Sequence, residues 1–182
     1  ALISSSGTLS ISDAGGPSLS VSPDTTICEN DSTTITAMAS SGTLPYTYFW
    51  SNGLPDTSSN VVSPLQTTTY SILVTDNAGC QSGTDSVNVK INALPLAGFT
   101  SSINGLNVVF TNTSAGAATH QWDFGDGNTS SDTNPIHNYS ADGSYTVCLT
   151  AISPDGCVGS LCKTIAVNAT GISQLNPPYL KT

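Results

Sequence analysis

The chain has 182 residues, a formal charge of −9 and only 8% charged side chains. That length exceeds one immunoglobulin-sized sandwich of about 100 residues and suits two smaller ones. Lys90, Lys163 and Lys181 are its only basic residues apart from two histidines. They offer no cationic footprint for phosphate backbones or anionic headgroups, which excludes nucleic acid and membrane surfaces as partners.

Charged residues stand far below the roughly 25% of ordinary soluble domains, while Ser, Thr, Gly and Asn are abundant, as in β-rich extracellular proteins. No run of about 18 apolar residues exists to span a bilayer. The opening Ala1-Leu2-Ile3-Ser4 has no basic and apolar leader, so the sequence is expected to be a mature chain or a fragment. Five cysteines without a C-x-x-C pair point to disulfides in an oxidising compartment rather than a metal site, and the expected location is secreted or cell-surface.

In chain order, residues 1–16 form a Ser/Gly-rich arm in which Leu9 and Ile11 alternate with polar residues. Such an arm can add a strand to a neighbouring sheet edge. Residues 17–93 carry regular strand signals at 19–21, 33–36, 46–50, 70–74 and 86–91, separated by turn clusters such as Ser51-Asn52-Gly53. Pro95 cannot donate to a ladder and marks a boundary near residue 94. The pattern restarts over residues 94–168, with predicted strands at 97–100, 106–111, 119–124, 144–152 and 158–167, and residues 169–182 are a tail. Trp50 and Trp122, Tyr70 and Tyr145, and Cys80 and Cys157 occupy matching places in the two halves, as in one architecture used twice. The expected fold is all-β, two tandem immunoglobulin-like β-sandwiches, with Trp50 and Tyr70 in the first core.

The order Cys28, Trp50, Cys80 is that of immunoglobulin-type sandwiches, so a Cys28–Cys80 bridge is expected. Its loop of about 53 residues would contribute roughly 4 kcal/mol. Tyr70 lies ten residues before Cys80 rather than two, which moves that bridge toward the end of the sandwich. In the second half a hairpin centred on Asp155 sets Cys148 opposite Cys162, and opposed strand positions are within bridging reach. Cys157 is then left as a free thiol, with a bridge from Cys157 to either neighbour as the alternative.

Residues Trp122-Asp123-Phe124-Gly125-Asp126-Gly127, then Asn134-Pro135-Ile136-His137-Asn138-Tyr139, then Gly143-Ser144-Tyr145-Thr146-Val147 resemble the signature of PKD domains over residues 95–168. The resemblance implies a seven-stranded sandwich used as a spacer, adhesion or substrate-contacting module. The residues alone read the same way: Trp122 and Phe124 share one strand face, and Gly125-Asp126-Gly127 makes a turn. Ile27-Cys28-Glu29-Asn30-Asp31-Ser32, Tyr48-Phe49-Trp50, Thr67-Thr68-Thr69-Tyr70 and Gly79-Cys80 are similar to Ig-like repeats of Bacteroidota surface proteins. PKD domains of that group often pair a cysteine before strand B with one after the hairpin glycine, but Ile103-Asn104-Gly105-Leu106 has none. Thr170-Gly171-Ile172-Ser173-Gln174-Leu175-Asn176 resembles the segment upstream of a type IX secretion sorting domain.

Acid/base catalysis needs paired carboxylates in a cleft. Glu29 is the only glutamate, and the aspartates fall in turn contexts. A Ser/His/Asp set can be assembled on paper from His120 or His137, but no nucleophile elbow accompanies it. The chain is therefore expected not to be an enzyme. No cofactor is expected, and calcium is the one ion considered: Asp123, Asp126, Asn128 and Asp132 are hard oxygen ligands within ten residues, though without EF-hand spacing. Three functions compete: a structural or adhesive module, a polysaccharide-binding accessory of a secreted hydrolase, and a fibre subunit assembling through the arm. Their partners would be other surface proteins, a polysaccharide, or copies of the chain.

Overall fold

The structure, a computed structural model, describes residues 15–169. The arm with Leu9 and Ile11 and the type IX-like segment from Thr170 lie outside the described residues. The chain divides between Ile91 and Asn92 into two compact units. All regular elements among the described residues are strands, so the all-β tandem sandwich expected from the sequence is what forms.

The first unit contains β1 (Ser18–Val21), β2 (Thr25–Cys28), β3 (Thr33–Ser40), β4 (Thr47–Trp50), β5 (Ser59–Val62), β6 (Thr68–Thr75) and β7 (Asp85–Asn92). They make two sheets, ordered β1-β3-β5 and β2-β7-β6-β4. Side chains two apart on a strand share a face. Thus Ile35 and Ala37 from one sheet meet Tyr70, Ile72, Val74, Val87 and Val89 from the other in a core of mostly aliphatic residues. Trp50 closes that core, and its indole Nε1 donates to the Thr57 carbonyl at 2.8 Å.

The second unit contains β8 (Phe99–Asn104), β9 (Asn107–Asn112), β10 (Thr119–Asp123), β11 (Thr129–Ser130), β12 (Ile136–Asn138), β13 (Gly143–Ile152) and β14 (Val158–Val167). Its sheets are β12-β9-β8 and β11-β10-β13-β14. The β8–β9 hairpin turns through Gly105 and Leu106, and Gly105 at φ 65° takes the position that a two-residue II′ turn reserves for glycine. The long β13–β14 hairpin pairs Gly143 with Val167 and continues to Ile152 opposite Val158. Here the core is aromatic: Phe99, Phe110, Trp122, Phe124 and Tyr139 pack with Val108, Val147, Leu149, Ile165 and Val167.

Cys148 and Cys162 face each other across this hairpin, Cα atoms 4.0 Å apart, and are joined by a disulfide. The first unit overturns the Cys28–Cys80 expectation, because Cys80 is the free thiol. Cys157 is not free either; Cys28 and Cys157 are both oxidised. Cys80 lies in the β6–β7 loop and not on a strand of either sheet, unlike the strand-borne cysteine that the immunoglobulin pattern pairs. Its backbone N–H donates to Asp76 Oδ1 at 2.8 Å, and its carbonyl accepts from the Asp76 N–H at 2.9 Å. Cysteine order along a chain identifies strands but not which end of the sandwich a sulfur occupies.

Candidate functional site

β10 delivers Trp122 to the core and Asp123 to solvent, and the chain then reverses over Gly125, Asp126 and Gly127. Gly125 has φ 77°, and a Cβ there would stand 2.4 Å from the Thr146 carbonyl oxygen, so no other residue fits without moving the backbone. Asp123 Oδ1 accepts from the Gly125 N–H at 2.9 Å, and Asp126 Oδ1 accepts from the Asn128 N–H at 3.0 Å. Asp126 Oδ2 takes two more bonds, from Asn128 Nδ2 at 3.1 Å and with His137 Nε2 at 2.8 Å.

His137 is stacked on Phe124, ring centroids 4.1 Å apart, and meets Tyr139 edge-on at 4.5 Å. Tyr139 stacks in turn on Tyr145 at 4.1 Å. Tyr139 O–H donates to the Phe124 carbonyl and Tyr145 O–H to the Ala141 carbonyl. The Trp122 indole donates to the Asp132 carbonyl at 2.9 Å, fixing the loop after β11. These bonds turn the whole signature into a scaffold.

The electrostatics follow from that scaffold. Partial burial pushes the Asp126 carboxyl upward, but the His137 and Asn128 hydrogen bonds outweigh it and hold it below the ordinary carboxylate value. Burial, then the Asp126 charge, pushes the Tyr139 hydroxyl up to about 12. Burial also raises Tyr70. Each shift keeps the group in its structural protonation state near neutral pH.

The oxygen ligands considered for calcium do not converge. Asp123 lies over the outer sheet face, Asp126 folds onto His137, and Asp132 Oδ2 accepts from Ser130 Oγ at 3.2 Å. Among the described residues no group of three or more His, Cys, Asp or Glu side chains is gathered as a metal centre. Asx-turn bonds to the local backbone engage the carboxylates of Asp123 and Asp126, and the Ser130 hydroxyl engages that of Asp132. Glu29 is exposed in a turn after β2. His120 is half-buried beside Ser130, Ser131 and Asp132, but among the described residues no serine hydroxyl bonds its ring.

Asp76 is a buried carboxylate that organises two loops. Oδ2 accepts from the Thr43 N–H at 2.9 Å, and Oδ1 accepts from Ala78 and Cys80 N–H groups at 3.0 and 2.8 Å. The Thr43 bond first, with those of Cys80, Ala78 and Gly79, holds its carboxyl low despite burial. The available signal was an Asp closing an alternating strand just before Asn77-Ala78-Gly79.

Two antiparallel sheets closed over a tryptophan, found twice, define a tandem immunoglobulin-like β-sandwich. Residues 97–169 match the PKD domain family, and the second unit is a PKD domain. The microbial collagenase of Vibrio alginolyticus is 40% identical over 56 residues, 31% of this chain and 7% of that protein. The pre-pro-metalloprotease PrtV of Vibrio cholerae serotype O1 (strain M66-2) is 36% identical over 94 residues, 49% of this chain and 10% of that protein. The chain thus spans a tenth or less of these curated relatives. The crystal structure of the PKD1 domain of the Vibrio cholerae metalloprotease PrtV aligns with 41% of this chain and 98% of its own, at 35% identity and a TM-score of 0.41.

Proposed function

We propose that the chain is a non-catalytic accessory segment of an extracellular bacterial protein, in which two sandwich modules act as spacer and contact surface. The observation that carries this reading is the fate of the second unit's signature residues. Asp123, Asp126 and His137 are held in hydrogen bonds that build turns and a ring stack, and do not face a common substrate. The Cys148–Cys162 disulfide supports an oxidising, extracellular setting. The first unit is read as a Bacteroidota-type Ig-like domain and the parent as a type IX secreted surface protein, on the residues that carry those resemblances.

Assay of the full chain on peptide, ester and glycoside substrates tests the reading. Rates equal to buffer are expected. Turnover by the chain that disappears on His120→Ala would contradict it, since His120 is the histidine not engaged by the scaffold. A glycan-contacting role within the same accessory function is favoured by a polar groove on the second unit, lined by Gln121, Thr129 and Ser131 among others.

A further inference from the structure

Across-strand neighbours on a sheet share a face. On the outer face of β11-β10-β13-β14 they bring Thr129 beside Asp123 and Cys148, and Gln121 beside Thr150. This face is not flat. β11 is only two residues long, and the chain that follows it is pinned beside β10 by the Trp122 indole on the Asp132 carbonyl.

Between that segment and β10 lies an open cleft of about 570 Å³ whose lining includes His120, Gln121, Ser131, Asp132 and Ile152. A second cleft of about 240 Å³ adjoins it over Asp123, Cys148 and Thr150. Gln121 and Thr129 line both, which makes one groove running across the strands.

The groove gathers several hydrogen-bonding side chains that the protein itself leaves unengaged. Elsewhere Asp126, Asn128, Asn134 and His137 are engaged by the protein itself. Among the described residues the side chains of Gln121, Thr129, Ser131 and Thr150 and the ring of His120 have no hydrogen-bond partner. They present an amide, three hydroxyls and an imidazole around one trough, with the half-buried His120 and Ile152 supplying apolar surface at one end.

We propose that this groove binds a single chain of an uncharged glycan. Mixed donors and acceptors beside small apolar patches complement sugar hydroxyls and C–H faces. Asp123 and Asp132 add acceptors and negative charge, which disfavours sulfated or uronate chains. Among the described residues of this unit the only lysine is Lys163, and its ammonium is engaged by the Phe99 carbonyl and ring. The rings of Phe99, Phe110, Trp122, Phe124, Tyr139 and Tyr145 form one packed series. They make no flat outer platform for a crystalline surface, so the ligand is a single strand.

The inference rests on the accessory-module reading, and the turnover assay judges that reading separately; a failed titration would remove the glycan and leave the module. The test is an NMR titration of the full chain with gluco-, xylo- and manno-hexasaccharides, with oligogalacturonate as the charged control and a Gly/Ser peptide as the peptide control. At least one neutral sugar should move the Gln121 and Thr150 signals, and the oligogalacturonate should not. Loss of the contacts in Gln121→Ala with Thr150→Val should weaken binding about tenfold. The melting temperature should stay unchanged, and the single exposed substitution Gln121→Glu should weaken binding with the same unchanged melting. No response to any neutral sugar, responses centred outside the groove, or equal binding of the charged chain or the peptide would overturn the proposal.

Discussion

The two units solve one problem with different materials. Each places a tryptophan near the end of a strand and ties its indole to a carbonyl farther along the chain, Trp50 to Thr57 and Trp122 to Asp132. Each also stations one carboxylate where loops must be held. In the first unit Asp76 collects backbone N–H groups from its own loop and from Thr43, beneath an aliphatic core. In the second, Asp126 collects Asn128 and His137, and through His137 joins a series of rings running from Phe124 to Tyr145. The fold fixes where a small sandwich needs closing but not what closes it.

The largest effect should separate the cores. Trp122 is fully buried among Phe99, Phe110 and Phe124, so Trp122→Ala should cost about 3–5 kcal/mol. Hydrogen exchange resolved by residue should show protection lost from β8 to β14. If Val74 and Val87 were the positions that opened instead, the assignment of the two cores would be wrong.

Next comes the hairpin staple. Replacing Cys148 and Cys162 by Ser and Ala opens a loop of 14 residues. The cost should be about 3 kcal/mol in denaturant unfolding. A cost near zero would mean that the β13–β14 ladder holds this register without the bond.

In the first unit Asp76 is the position to replace. Asp76→Ala leaves several buried N–H groups without an acceptor and should lower the melting temperature, with the loss of protection confined to residues 41–46 and 76–82. Asp76→Asn keeps one acceptor oxygen and should lose less. Equal losses would show that charge, not hydrogen bonding, is what matters there.

Acid should weaken both units by the same logic. A carboxyl held lower in the fold than in the unfolded chain contributes stability that is complete above its unfolded value near 4. That contribution disappears as pH falls through the depressed folded value. Stability should therefore drop below about pH 4, and Asp126→Asn should flatten the fall measured at Tyr139 and Val147 without changing the fall at Val74.

The smallest effect concerns the rim. Lys163 sits on the edge strand β14 with its ammonium over the Phe99 ring, 4.8 Å from the centroid. Lys163→Ala should cost about 0.5–1 kcal/mol in thermal unfolding.

What the sequence displays and what it conceals differ by element. Strands with a buried alternate face, such as β6 with Tyr70, Ile72 and Val74, announce themselves by period. β2, β5, β11 and β12, two to four residues long and largely polar, do not, because a period needs more residues than they have. The Cys148–Cys162 register follows from symmetry about one turn, a local property. That Cys28 is oxidised while Cys80 stays free depends on how the loops meet the strands, and order along the chain does not contain that. The groove was hidden for a related reason: Gln121, Thr129 and Thr150 come from three strands and carry no motif. The carboxylates of the signature were visible, but whether they would meet a metal or the backbone was decided by turn geometry.

In both units the aspartates serve the scaffold. NMR titration of the aspartate carboxyl carbons tests it most directly. Asp76 and Asp126 should both titrate below the ordinary carboxylate value, each as a single independent group. A raised value for either, or two aspartates sharing one proton, would reveal a cleft built for chemistry and contradict the account.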